Sequence, residues 1–545
     1  MESLFAPPAA GTATVSATLK AGCDVESAPW PRDHPFGTGG PYIKYAPTAV
    51  RSGELPEAAL DAALRNTLGL RFKLGLFDPI DDQPLWNVPP SEVRSDANVA
   101  AAVDATEQAL VLLSNGGAKA NDAKVLPFKA GSGKVAVVGP HTNDHSTLLG
   151  NYLGQICPEG FSSRACVESP FEAISAINGA GLSTNATGCA VNSTDASAVD
   201  AALAAANGAD SIVFMGGLDV TSVEREGKDR YEVGLPGLQP SLLRQMLALG
   251  KPTVLILFHG GIVTLPPDIL ESPNLAVVSA GCEAAAAFEL SAYSPAALLS
   301  CSPFHPANPI APAADPGFFG SAAIARALFD RPSVLATNRW GKTPVTWYSE
   351  SGWADANFDM LSFDMAKPPG RSARSGSRTH TARRRHMRLT DRPPCVATAH
   401  RYYTGKPQWP FGFGLSYSST SLAAHPSADA HHIDATVTND DAVRATDEVV
   451  FLFVAPARGT LPAGAPAAAL RRTLVSFHRI GPIAPGAAVK TTFSPVPRMV
   501  HFHNIDGKPR LHAGEYEFFL STGDVATEVR LRYWCDEAAC RGVSV

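Results

Sequence analysis

Four near-continuous apolar runs constrain this chain more than any other feature: Lys134-Val-Ala-Val-Val-Gly-Pro140, Ser211-Ile-Val-Phe-Met-Gly-Gly217, Pro252-Thr-Val-Leu-Ile-Leu-Phe258 and Leu275-Ala-Val-Val278. They are rich in β-branched residues and barely alternate with polar ones, the pattern of strands covered on both faces. Between them lie helical stretches: an alanine-rich one over 195–207, with Asp195 as its expected N-cap, and another over 239–248. The stretch 105–115 has helical composition and an apolar end that also suits a strand. Strands alternating with helices predict an α/β class for residues 81–365: a layered α/β sandwich domain with helices on both faces of its sheet.

The two ends of the chain read differently. In the first 80 residues, 19–24 reads as a helix end running into a short strand. A helix then opens after Arg51, with Pro56 in its first turn and an apolar stripe of Leu60, Leu64, Leu68 and Phe72, backed by Ala63 and Thr67. One buried helix face cannot make a domain. Past the glycine and aromatic passage Trp409-Pro-Phe-Gly-Phe-Gly-Leu-Ser-Tyr417, period-two patterns over 433–437, 448–454, 488–493, 515–520 and 529–533 predict an all-β sandwich for 432–545. A length of 545 residues agrees with two to four domains.

Two blocks break these patterns. Residues 282–314 are irregular and end Pro-rich; residues 372–400, within a linker over 366–431, carry Arg374, Arg378, Arg383, Arg384, Arg385, Arg388 and Arg392. Neither has sustained periodicity, so both are expected to be loose. For the arginine block, charge alone suits nucleic acid, but no aromatics are interleaved and the whole chain has a formal net charge of −6. A solvated insertion and translated intron are the competing readings, and the second is the stronger: removing the block joins Pro369-Gly-Arg371 to Arg401-Tyr-Tyr-Thr-Gly405.

Membrane and metal chemistry find no support. No run reaches the roughly 20 apolar residues of a membrane span, and no Cys or His spacing suits zinc. The start, Met1-Glu-Ser-Leu-Phe, lacks the basic and apolar regions of a secretory signal. Yet nine cysteines and two glycosylation sequons, Asn185-Ala-Thr and Asn192-Ser-Thr, suit an exported protein. Cys157 with Cys166 and Cys535 with Cys540 are the nearest pairs, and free thiols are their plainer reading.

The run ending in Gly216-Gly217 is followed by a loop dense in acids and bases: Asp219, Glu224, Arg225, Glu226, Lys228, Asp229 and Arg230. Open α/β sheets place their chemistry at such strand ends, although a solvated loop has the same composition. With Gly150-Asn-Tyr-Leu-Gly154, Leu235-Pro-Gly237, Lys73-Leu-Gly-Leu-Phe-Asp78 and the Trp409 passage, this stretch resembles glycoside hydrolase family 3, most of all its β-xylosidase branch. One departure is Ser114, where the family usually has lysine.

The resemblance implies a fold and a chemistry. Residues 1–80 would be the remnant of a (β/α)8 barrel and its exit helix, and 432–545 a fibronectin type III-like sandwich. The parent activity would be exo-acting, retaining hydrolysis of terminal β-linked xylose, arabinose or glucose on an oligosaccharide, without cofactor or metal, in the extracellular space or secretory pathway. Such a reaction needs two carboxyl groups about 5 Å apart. Glu224 occupies the place of the acid/base, with Glu226 as rival, whereas the family's nucleophilic aspartate would fall just before Met1. Asp24 would lie on the barrel rim, in reach of a sugar hydroxyl or as a simple turn residue. Asp219, Asp229 and Arg230 are expected to shape the loop, and His141 and His259 to be core or loop histidines. The 545 residues alone are therefore expected to be nearly inactive. The runner-up reading is a non-catalytic carbohydrate-binding or scaffolding remnant.

Overall fold

The computed structural model describes residues 11–26, 40–83, 85–92, 94–116, 124–150, 156–160, 163–224, 230, 232–281, 317–330, 340–350, 406–457, 472–503, 509–523 and 527–543. Glu226, Asp229, the irregular block 282–314 and the arginine block 372–400 lie outside them. The chain divides into two compact units, meeting in sequence between Ala100 and Ala101.

The first unit holds helices α1 (Gly11–Lys20), α2 (Pro41–Arg51) and α3 (Glu57–Lys73). Its small core is Val15, Leu19, Ala46, Ala49, Leu55 and Ala63. Three expectations fail here. Residues 21–26 form no strand, and the stripe on α3 is mostly exposed: Leu64 is 49%, Leu68 41% and Phe72 65% accessible. Only Ala63 on that helix is buried. Pro56 is the N-cap residue, just outside the first turn.

Helix α4 (Asp96–Ala109) leads into the second unit, where the apolar end of the 105–115 stretch becomes strand β1 (Val111–Asn115). Asn115 is buried and staples the next segment: its Oδ1 accepts from Leu126 N at 2.8 Å and its Nδ2 donates to Leu126 O at 3.0 Å. A short strand β2 (Phe128–Lys129) pairs in parallel with β8 (Phe329–Asp330). The main sheet contains β3 (Val135–Val138), β4 (Ser183–Ala186), β5 (Ser211–Gly217), β6 (Thr253–Phe258) and β7 (Leu275–Ser279), in the order β1-β7-β6-β5-β3-β4. All neighbours are parallel except β1, which runs antiparallel to β7.

Alternate residues of these strands feed two cores. Val137, Val213, Met215, Val254, Ile256 and Val278 pack against α5 (Pro170–Asn178) and α9 (Gly320–Leu328). Ala136, Val138, Ile212, Phe214, Leu255, Leu257 and Val277 pack against α6 (Val199–Asn207), α7 (Gln239–Leu247) and the short α8 (Pro267–Leu270). Two-sided burial is the reason the strands read as continuous apolar runs. Asp195 does not cap α6, whose N-cap is Ala198; its Oδ1 accepts from Ser197 N at 2.9 Å, an Asx turn in the approach to the helix.

The C-terminal part is antiparallel throughout. The strands are β9 (Thr420–Pro426), β10 (Ile433–Asn439), β11 (Thr446–Pro456), β12 (Thr473–Ile483), β13 (Ala488–Phe493), β14 (His501–His503), β15 (Pro509–Leu511), β16 (Gly514–Ser521), β17 (Val529–Cys535) and β18 (Cys540–Gly542). Its three sheets have the orders β13-β10-β9, β12-β11-β16-β17-β18 and β14-β15. The two larger sheets share a core of Ile433, Val437, Val450, Leu452, Phe518, Leu520 and Tyr533. The expected strands are all present; β9, β12, β14, β15 and β18 are additional, β9 because its alternation carries only Leu422 and Ala424 to the core, β14, β15 and β18 because three residues make no pattern.

Both nearest cysteine pairs are disulfides, which corrects the expectation of free thiols. Cys157–Cys166 and Cys535–Cys540 have Cα separations of 5.6 and 4.1 Å. The fold decides this: β17 and β18 pair in the register Cys535↔Cys540, so the two side chains face one another.

Candidate functional site

In chain order the five parallel strands β3 to β7 are laid down as 2-1-3-4-5, and the order reverses between β3 and β5. Open α/β sheets bind ligands outside the carboxyl ends of their strands at such a reversal. Two loops leave this point, one after β3 and one after β5, and the second contains Glu224.

The exit from β5 is rigidly built. Gly217 has φ +129°, and a Cβ there would collide with the Phe258 carbonyl. Glycine is required for both reasons. Gln239, the first residue of α7, is completely buried and holds this turn with three hydrogen bonds. Its Oε1 accepts from Gly217 N at 2.7 Å, and its Nε2 donates to Gly217 O and Val191 O, both at 2.8 Å. Sequence reasoning missed Gln239, since nothing local distinguishes it from a solvent-facing helix residue.

Asp219 shapes the next turn, as expected. Its Oδ1 accepts from Ser222 N at 2.7 Å, Ser222 Oγ at 2.8 Å and Val223 N at 3.1 Å, while Oδ2 accepts from Thr221 Oγ1 at 3.0 Å. Burial pushes its carboxyl up, but these hydrogen bonds outweigh it and hold the group below the usual carboxylate range. The turn closes with Glu224 N donating to Asp219 O at 3.2 Å.

Glu224 is only partly covered, with a side chain 24% accessible, and its Oε2 accepts from Arg230 Nε at 2.6 Å. Arg230 is itself tied to backbone: Nη1 donates to Glu232 O at 3.3 Å and Nη2 to Ile262 O. The guanidinium thus links the loop after β5 to the segment after β6. Arg230 was expected to brace the loop, and it does so by gripping the candidate acid/base itself.

His259 lies at the end of β6, fully buried, with Nε2 2.8 Å from Ser279 Oγ and its ring edge-on to Trp347. Burial, then the Arg230 charge, pull its pKa down to about 3, so it is neutral. At the end of β3, His141 is equally buried; its Nδ1 lies 3.4 Å from Asp144 Oδ2, and its ring packs on Phe258. Asp144 also accepts from Ser146 N at 2.7 Å, Ser146 Oγ at 2.8 Å, Thr147 N at 3.2 Å and Thr147 Oγ1. Burial opposes its charge, but the His141, Thr147 and Ser146 bonds hold its carboxyl well below the usual range. Both histidines are core residues, as the sequence suggests, and Asp144 is an organiser that its Asp-x-Ser-Thr context makes legible in hindsight. Asp24, in the other unit, accepts from Asn66 Nδ2 at 3.0 Å.

Among the described residues, no group of three His, Cys, Asp or Glu side chains is placed to hold a metal ion. No helix among them is long and apolar enough to cross a membrane.

Comparison with known proteins agrees with this architecture. Residues 110–290 match the profile of the Glycosyl hydrolase family 3 C-terminal domain. The chain is 30% identical over 441 residues to probable beta-D-xylosidase 7 of Arabidopsis thaliana, covering 79% of this chain and 45% of that protein. It is 28% identical over 537 residues to exo-1,4-beta-xylosidase bxlB of Emericella nidulans, covering 94% of this chain and 57% of that protein. The chain therefore spans about half the length of these relatives. Its fold is similar to a solved GH3 exo-beta-xylosidase, XlnD, bound to a xylobiose aziridine probe, with TM-score 0.67, 20% identity, and coverage of 97% of this chain and 59% of that one.

Proposed function

We propose that this chain, which carries a glycosyl hydrolase family 3 C-terminal domain at residues 110–290, contributes the acid/base half of a retaining exo-glycosidase acting on terminal β-D-xylosyl, arabinosyl or glucosyl residues of an oligosaccharide. The observation that carries the reading is the position of Glu224, on the loop leaving β5 at the reversal point of the sheet. The xylosidase names of the relatives favour xylose.

In this scheme Glu224 protonates the leaving glycosidic oxygen as the sugar–oxygen bond breaks, then takes a proton from the water that releases the sugar. Glu224 Oε2 is occupied by Arg230 Nε in this loop, so the scheme requires that contact to give way to the glycosidic oxygen in the first step. Glu226, two residues on, is the rival for the same role. The attacking carboxylate comes from a barrel domain for which residues 1–80 supply the last elements and the exit helix, and the C-terminal sheets form a fibronectin type III-like sandwich. Acid/base assistance is worth about 10²–10⁴-fold in rate, and loss of a covalent nucleophile removes more. These 545 residues by themselves are thus nearly inactive.

The test has two arms. Turnover of an aryl β-xyloside by the 545-residue chain is expected to be at background, and robust turnover would refute that part of the proposal. Sequencing the transcript upstream of the Met1 codon is expected to reveal an in-frame barrel with its nucleophilic aspartate. In that longer protein Glu224→Gln lowers hydrolysis of poor leaving groups most, and azide, which needs no general base, restores turnover of an activated aryl β-xyloside by intercepting the glycosyl-enzyme; this behaviour in Glu226→Gln alone moves the role to Glu226.

A further inference from the structure

Two sequons occur in the chain, Asn185-Ala-Thr187 and Asn192-Ser-Thr194. We infer that both asparagines carry N-linked glycans, on the rim formed by β4 and the segment that follows it. This inference is independent of the hydrolase reading.

A glycan added during synthesis must be accommodated by the folded protein, and both sites leave room for one. Asn185 is exposed on β4, the edge of the main sheet, which is hydrogen-bonded to β3 on one side alone among the described residues. Its Nδ2 donates to Asn143 Oδ1 at 2.6 Å. Glycosylation replaces one of the two amide hydrogens, so the other can keep this bond. Asn192 is also exposed, while the backbone on either side of it is fixed: Gln239 Nε2 donates to Val191 O at 2.8 Å and Leu238 N to Ser193 O at 3.0 Å. These contacts clamp the main chain and leave the Asn192 side chain outside. Thr187 and Thr194, the hydroxyl residues of the two sequons, are exposed as well.

The second observation concerns compartment. Disulfides Cys157–Cys166 and Cys535–Cys540 are features of proteins matured in an oxidising environment, where glycosylation also takes place. The reaction balances with a lipid-pyrophosphate-linked oligosaccharide as donor. Asparagine Nδ2 forms a bond to the sugar's C1, the C1–oxygen bond to pyrophosphate breaks, the lipid pyrophosphate leaves with that electron pair, and one amide proton passes to solvent. The Asn185 glycan would cover the open edge of β4, where unpaired backbone groups invite association.

The test is to direct the full chain through the secretory pathway of a eukaryotic host with an appended leader, then release glycans with peptide N-glycosidase in heavy-oxygen water. Heavy-oxygen aspartate is expected at 185 and 192, with Asn185→Gln and Asn192→Gln each losing one glycan on a gel. If either variant is not secreted, Thr187→Ser and Thr194→Ser must keep the glycan that Thr187→Ala and Thr194→Ala lose. Unmodified asparagine at either position in secreted protein overturns the assignment of that site.

Discussion

Arg230 Nε donates to Glu224 Oε2 at 2.6 Å, and the same guanidinium bonds the carbonyls of Glu232 and Ile262. The candidate acid/base is therefore held by a residue that also ties the loop to the segment after β6.

Arg230→Gln is expected to cost about 1–3 kcal/mol, since it breaks a charge-assisted bond and leaves backbone carbonyls without their donor. Hydrogen exchange across 219–237 should rise while exchange in β3 and β6 stays slow. Exchange unchanged in the loop would show that the ion pair does not hold it.

Gln239→Glu removes the donor to Gly217 O and Val191 O and buries a charge in its place. A loss of about 2–4 kcal/mol is expected at neutral pH. Part of it should return on acidification, when a protonated carboxyl can donate again. Urea denaturation at two pH values checks this, with Gln239→Leu as a control that shows no such recovery.

Lys342 Nζ donates to Gly414 O and Thr522 O, both at 2.8 Å, and pairs at 2.8 Å with Glu448, whose side chain is 6% accessible. Lys342→Met leaves that carboxylate buried without its cation and should cost about 3–5 kcal/mol. The double variant Lys342→Met with Glu448→Gln should recover much of the loss, as measured by thermal unfolding.

The acid side of the stability curve follows from three groups. His259 has a folded pKa of about 3, so the unfolded state binds its proton more readily, and stability should fall as pH drops from the ordinary histidine range toward 3. Asp144 and Asp219 have depressed folded values, so their contributions are fully present above the unfolded carboxylate range and are lost as pH falls from that range through the lower folded values. His259→Gln should flatten the first phase and leave the second.

How much was legible follows physical lines. The apolar runs of β3, β5, β6, β7 and β11 are set by burial on both faces, and period two in β10 by burial on one; each is a local pattern. Gly216-Gly217 marked the turn, and Glu224 stood out through its loop. In contrast, the register that bonds Cys535 to Cys540, the buried amide of Gln239 against Gly217, and the grip of Arg230 on Glu224 join residues whose meeting no local spacing dictates.

The sequence by itself determined the buried strands of the main sheet, five strands of the C-terminal part and where charge collects, because those depend on neighbours a few positions apart. Only the tertiary structure decided which strands adjoin, and so that the sheet reverses between β3 and β5 beside the Glu224 loop. It also decided that the α3 stripe stays exposed, since burial depends on what else packs nearby, and a helix cannot encode its own cover.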